Sequence, residues 1–140
     1  MKYVPYEIAK KLKKKGFDEP CIIAYDEVPM ACTMSQSPFR PINYNDKTSW
    51  GGYMSAPFYQ QVIDWLENTH RIIISTDRMA SSNKKNHWTS KIINNYEITH
   101  QGFGNINCYT NTIDVHNDFH GFDDKYSSIT VAIEIALEFI

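Results

Sequence analysis

Between His87 and His116 the chain alternates. Trp88, Ile92, Tyr96 and Ile98 share one parity, and Tyr109, Ile113 and Val115 share one parity further on. Alternation of this kind marks half-buried strands, because successive side chains point to opposite faces. Gln101-Gly102-Phe103-Gly104-Asn105 lies between the two runs and reads as a hairpin turn. A hairpin alone is marginal in water, so this one must pack on something.

Other segments supply the partners. Pro5 to Lys15 reads as a helix with Val4, Ile8 and Leu12 on one stripe, Gly16 as the residue that ends it, and Phe17 folded back. Cys21 to Tyr25 and Arg71 to Thr76 are short apolar runs that read as strands. Ser55 is expected to cap a second helix with Tyr59, Val62, Ile63 and Leu66 buried and Trp65 widening the stripe. A last helix is expected from Ser127 or Ser128 to Ile140. Residues 28–54 and 77–86 read as loops, the first of them long enough to suggest a functional role. Strands and helices mix without regular βαβ alternation, so the fold class is α+β. The expectation is a single domain over residues 1–140, with three helices on a four-stranded, mainly antiparallel sheet in the order α-β-α-β-β-β-α.

Composition agrees with one cored domain. Of the 140 residues, 42% are apolar and 14% aromatic, enough to bury a core without a disulfide or metal. Cys21, Cys32 and Cys108 are odd in number and show no C-x-x-C spacing, which fits reduced thiols. No apolar run is long enough to span a membrane, and the first residues lack the apolar stretch of a secretory signal. A cytoplasmic protein is expected. The net charge of −2 argues against general nucleic-acid binding. The charge is uneven, however: residues 1–16 hold six Lys and one Glu. A solvated helix face accounts for them, with contact to phosphate or an acidic partner as the functional reading.

Four constellations carry possible chemistry. Asp114, His116, Asp118 and His120 fall on one face if their strand continues, and two His at that spacing with a carboxylate suit zinc. Gly121 ends such a strand early, so a polar solvent face is the reading adopted, with no metal and no cofactor. His87-Trp88-Thr89 has the H-x-T form of two-histidine phosphoesterases, which need two such motifs; the sequence has one. Gly51 and Gly52 precede Ser55, where free N–H groups at a helix start suit an anion. Residues 71–91 hold Arg71, Arg78, Lys84, Lys85 and Lys91 against Asp77 alone. Cations beside aromatic planes suit a nucleotide. The expected ligand-binding residues are Trp50, Gly52, Tyr53, Ser55, Arg71, Arg78, His87 and Trp88, with no catalytic set. G-x-S-x-G, H-E-x-x-H and EF-hand patterns are absent.

Three stretches carry a resemblance. They are Val4 to Leu12 running on through Gly16-Phe17-Asp18-Glu19-Pro20-Cys21, Ser55-Ala56-Pro57 leading to Gln61 through Leu66, and Ala132 through Leu137. Together they resemble a family of small accessory proteins of phages and prophages of gut bacteria. The resemblance covers core and cap positions, and it leaves out residues 28–54 and 77–86. It implies a scaffold and a context without an activity. In that context the expected function is a non-enzymatic binder in the host bacterial cytoplasm. In its sharpest form it is a counter-defence protein that sequesters a nucleotide-derived immune signal such as a cyclic nucleotide or an ADP-ribose derivative. A protein-binding inhibitor of a host factor and a phosphodiesterase using His87 are the rival readings. A homo-oligomer is expected as well, because Val131, Ile135 and Phe139 form a second apolar stripe on the last helix.

Overall fold

The computed structural model describes residues 2–26, 32–34, 41–46, 52–80, 86–95, 110–115 and 122–140. Among the described residues three helices and six strands follow the order α1 (Tyr6–Lys14), β1 (Ile23–Tyr25), β2 (Cys32–Met34), β3 (Met54–Ser55), α2 (Tyr59–His70), β4 (Ile72–Ala80), β5 (Asn86–Asn95), β6 (Thr110–Val115) and α3 (Lys125–Leu137). The α+β class holds. The single four-stranded sheet does not: the strands form two three-stranded antiparallel sheets, β2-β1-β3 and β4-β5-β6. The chain divides into two compact units, Met1–Trp65 with Leu137–Ile140, and Leu66–Ala136.

In the first unit, α1 buries Ile8, Ala9 and Leu12, and Val4 just before it is also buried. The helix ends as the sequence predicts. Gly16 adopts φ 86. Its N–H donates to Lys13 O at 3.3 Å, and the Phe17 N–H donates to Leu12 O at 3.0 Å. These two bonds are the Schellman pattern, closed by the buried side chains of Leu12 and Phe17. Phe17 meets Trp65 edge-on, with ring centroids 5.3 Å apart. The Tyr25 hydroxyl donates to Val4 O at 2.6 Å, which fixes the chain entering α1 against β1.

Part of the segment read as a long loop is paired. β2 and β3 flank β1, and Cys21 and Ile42 exchange two backbone bonds. Asn45 ties the piece down: its Nδ2 donates to Phe17 O at 2.8 Å, and its Oδ1 accepts from Ser55 N–H at 3.1 Å. Strands of two and three residues leave no period to read, which is why the sequence hides them. Ser55 is therefore not a helix cap. It pairs with Ala24 in β3, and its Oγ accepts from Tyr44 N–H at 3.2 Å. α2 begins four residues later. There Gln61 Oε1 accepts from Phe58 N–H at 3.0 Å, half of a capping box. Among the predicted stripe, Tyr59, Val62, Trp65 and Leu66 are buried and Ile63 is half-buried.

In the second unit, β4 extends to Ala80 and β5 starts at Asn86, so much of the segment read as a polar loop is ladder. The reason is edge position and pairing: Thr76, Asp77 and Arg78 stand opposite Ser90, Thr89 and Trp88. Ile74, Ile92 and Ile113 line up across the three strands. The predicted turn at residues 101–105 lies outside the described residues. α3 starts earlier than expected. Asp124 caps it, with Oδ1 accepting from Tyr126 N–H at 2.9 Å and Ser127 N–H at 3.0 Å, and Oδ2 accepting from the Ser127 hydroxyl. Ile129, Ala132, Ile133, Ala136 and Leu137 are buried. Among the described residues no helix is long and apolar enough to cross a membrane.

Candidate functional site

The β4-β5-β6 sheet sets an aromatic ring under one cation and opposite a second. Arg78 on β4 stands directly opposite Trp88 on β5. Paired residues in an antiparallel ladder project to the same face, so the guanidinium and the indole leave the sheet together. Lys125, the first residue of α3, places Nζ 5.9 Å from the Trp88 ring centroid. Trp88 and Phe122 exchange two backbone bonds of 2.8 Å, which hold the approach to α3 against β5. Trp88 and Phe122 are half-buried, whereas Arg78 and Lys125 are exposed. The Asp124 carboxylate is turned into the helix cap. Behind the ring lies a chain of hydroxyls. Ser90 Oγ is 2.6 Å from Ser128 Oγ, both residues are buried, and Thr76 Oγ1 lies 3.5 Å from Ser90 Oγ.

Such a cluster attracts a flat, anionic group. The ring offers an aromatic plane, and the Lys125 cation over its face is held by the ring quadrupole while the residue stays exposed to solvent. The guanidinium adds a fork suited to phosphate oxygens.

Of the other expected residues, Arg71 and His87 share the second unit with this cluster. Arg71 is exposed at the start of β4, seven residues from Arg78 and about 23 Å away along an extended strand, so the two do not share one phosphate. His87 is adjacent to Trp88 in sequence and therefore projects from the opposite face of β5, with Thr89. His87 is half-buried, and its Nδ1 is buried without a hydrogen-bond partner among the described residues. Gly52, Tyr53 and Ser55 belong to the first unit. Gly52 is exposed at φ 95. Tyr53 is half-buried 6.4 Å from the Tyr44 ring, and its carbonyl accepts from Lys13 Nζ at 3.2 Å. Ser55 is buried, and no helix starts there, so the anion cradle read from Gly51, Gly52 and Ser55 is withdrawn. Trp50 lies outside the described residues.

Two residues escaped the sequence reading. Lys125 follows Asp123 and Asp124 and lies before the helix start expected at Ser127 or Ser128. An Asp-x-x-Ser start at Asp124 is the signal that would have put Lys125 on a helix. Phe122 carried no signal at all.

Two other features bear on chemistry. Cys21 is buried, and burial pushes its thiol up to about 11, so it stays protonated and inert at neutral pH. Asp114 is exposed on β6. His116, Asp118 and His120, the rest of the zinc constellation, lie outside the described residues.

Comparison with family models, curated proteins and solved structures finds no match to this chain.

Proposed function

We propose that the protein is a phage-type accessory protein that binds a small phosphorylated ligand of the nucleotide class and lets it go unchanged. A base stacks on Trp88, and phosphate oxygens meet Lys125 and Arg78. In a host bacterial cytoplasm such a binder acts in counter-defence by holding down a nucleotide-derived signal. The ligand is a cyclic nucleotide or an ADP-ribose derivative. The observation that supports this reading is the Trp88 ring with Lys125 Nζ 5.9 Å from its centroid and Arg78 opposite it in the ladder. Sequestration needs affinity and no acid–base pair. The one H-x-[ST] histidine, His87, faces away from that ring, which favours binding over phosphodiester cleavage.

The test is calorimetry with a panel of cyclic mononucleotides, cyclic dinucleotides and ADP-ribose derivatives. At least one compound should bind. Arg78→Ala should weaken it about tenfold, as loss of a charge-assisted hydrogen bond does. Arg78 is exposed, so the variant keeps its fold. No heat from any compound, or binding untouched by Arg78→Ala, contradicts the proposal.

A second reading, self-association through α3, is supported by a different observation. Val131 and Ile135 are half-buried, and Phe139 just past the helix is 43% exposed.

A further inference from the structure

We infer that the buried Ser90–Ser128 hydroxyl pair positions Lys125 over Trp88, so that the cation of the ligand site is set by the register of α3 on the sheet. The pair itself meets no solvent: Ser90 is 1% exposed and Ser128 0%. With oxygens 2.6 Å apart, one hydroxyl donates to the other. Thr76 Oγ1 closes the chain at 3.5 Å.

Two periodicities link this pair to the site. Ser90 lies two residues from Trp88 on β5, hence on the same face and about 7 Å along the strand. Ser128 lies three residues from Lys125 on α3, hence on the same side of the helix and about 4.5 Å along its axis. One rung of helix-to-strand contact therefore sets the next. A shift of α3 by one residue turns its face by about 100°. That carries Lys125 off the ring and breaks the short Ser90–Ser128 bond, leaving Ser90 only the longer 3.5 Å contact to Thr76 Oγ1. An apolar pair at these positions tolerates the shift, because non-directional contacts reform after a small slide. A directional pair does not. The Trp88–Phe122 backbone bonds fix the chain before the helix, the buried stripe of Ile129, Ala132, Ile133 and Ala136 sets which side of α3 faces inward, and the serine pair adds a directional contact one turn from Lys125. Ser90 and Ser128 are positioning residues and do not touch the ligand.

The experiment reads the geometry and the affinity separately. A lysine side chain near an indole face has its CεH2 protons shifted upfield by the ring current. Lys125, assigned by its loss in Lys125→Arg, should show that shift in the wild type. In Ser128→Ala and in Ser90→Cys, each confirmed folded by its dispersed methyl spectrum, the shift should move most of the way to the random-coil value. Thr130→Ala serves as the control. It removes a hydroxyl that donates to Tyr126 O within α3 and should leave the shift in place. Should Ser128→Ala not fold, the near-isosteric Ser90→Cys alone decides. The affinity arm rests on the nucleotide reading. There the serine variants should bind the responsive compound of the panel roughly two- to fivefold more weakly, the worth of an exposed cation–aromatic contact. A wild-type Lys125 without a ring-current shift, or a shift preserved in the folded serine variants, overturns the inference. A shift that behaves as expected in a protein that binds no nucleotide overturns the functional proposal and leaves the positioning role standing.

Discussion

Arg71 sits at φ 58, in a region that L side chains enter at a cost. It follows the last residue of α2, and its N–H donates to Glu67 O at 3.0 Å, so it fills the position where helices commonly place glycine. Its side chain is exposed and remote from Arg78. Relief of that backbone strain in Arg71→Gly should be worth about 0.5–1 kcal/mol in urea denaturation, offset by whatever the Arg71 side chain's own interaction contributes. A loss of stability shows that the guanidinium holds something more valuable than the backbone strain. Cys21 makes the opposite kind of residue claim. Its thiol lies at about 11 in the fold against 9.0 in an open chain, chiefly through burial. At pH 8 that lowers the thiolate fraction about a hundredfold, so alkylation in native buffer should be slower than in urea by at least that factor. The raised value also fixes the sign of a pH effect. The fold favours the protonated thiol, so its contribution is complete below pH 9 and declines as pH rises through about 11. The stability advantage of wild type over Cys21→Ala should shrink across that window. An advantage that grows there contradicts the assignment.

At the scale of elements, capping gives the clearest handle. Asp124 accepts two backbone N–H bonds at the start of α3, and Asp124→Ala should cost about 1 kcal/mol. Ser127→Ala should cost less, although the sequence alone made Ser127 or Ser128 the cap. Equal losses in urea titrations would show that the carboxylate is not the main cap. The contrast shows what was legible. α1 was readable at both ends, because a Pro start, a four-residue apolar stripe and a Gly-Phe stop are all local signals. The alternation of β5 and β6 was readable, whereas the register that pairs Ile92 with Ile113 was not, because parity within a strand does not set its partner. β2 and β3 were not, because strands this short are held by partners distant in sequence, such as Asn45 for Ser55. The C-terminal half of β4 was misread for a related reason: Asp77 and Arg78 look like loop residues until β5 is set beside them. Of the candidate site, Arg78 and Trp88 are the two expected residues that the ladder sets opposite each other, and that pairing depends on register. Lys125 depends on where α3 begins.

For the whole molecule, the apolar residues of α3 set the outstanding question of association. The stripe from Ile129 to Leu137 is buried, while Phe139 keeps 43% of its surface exposed. Self-association through this face predicts a dimer in light scattering, and Phe139→Asp should return it to monomer without lowering the melting temperature by more than about 2 °C, since the residue is outside the core. A wild-type monomer at high protein concentration removes the oligomer. The ligand is the central claim, and it separates a binder from an enzyme by the fate of what is bound. The protein is incubated with cyclic nucleotides and ADP-ribose derivatives, freed of excess by gel filtration, and denatured, and the released small molecules are identified by mass spectrometry. The account predicts one compound of the panel recovered intact from wild type and depleted from Arg78→Ala. A cleaved product, or nothing recovered at all, contradicts it.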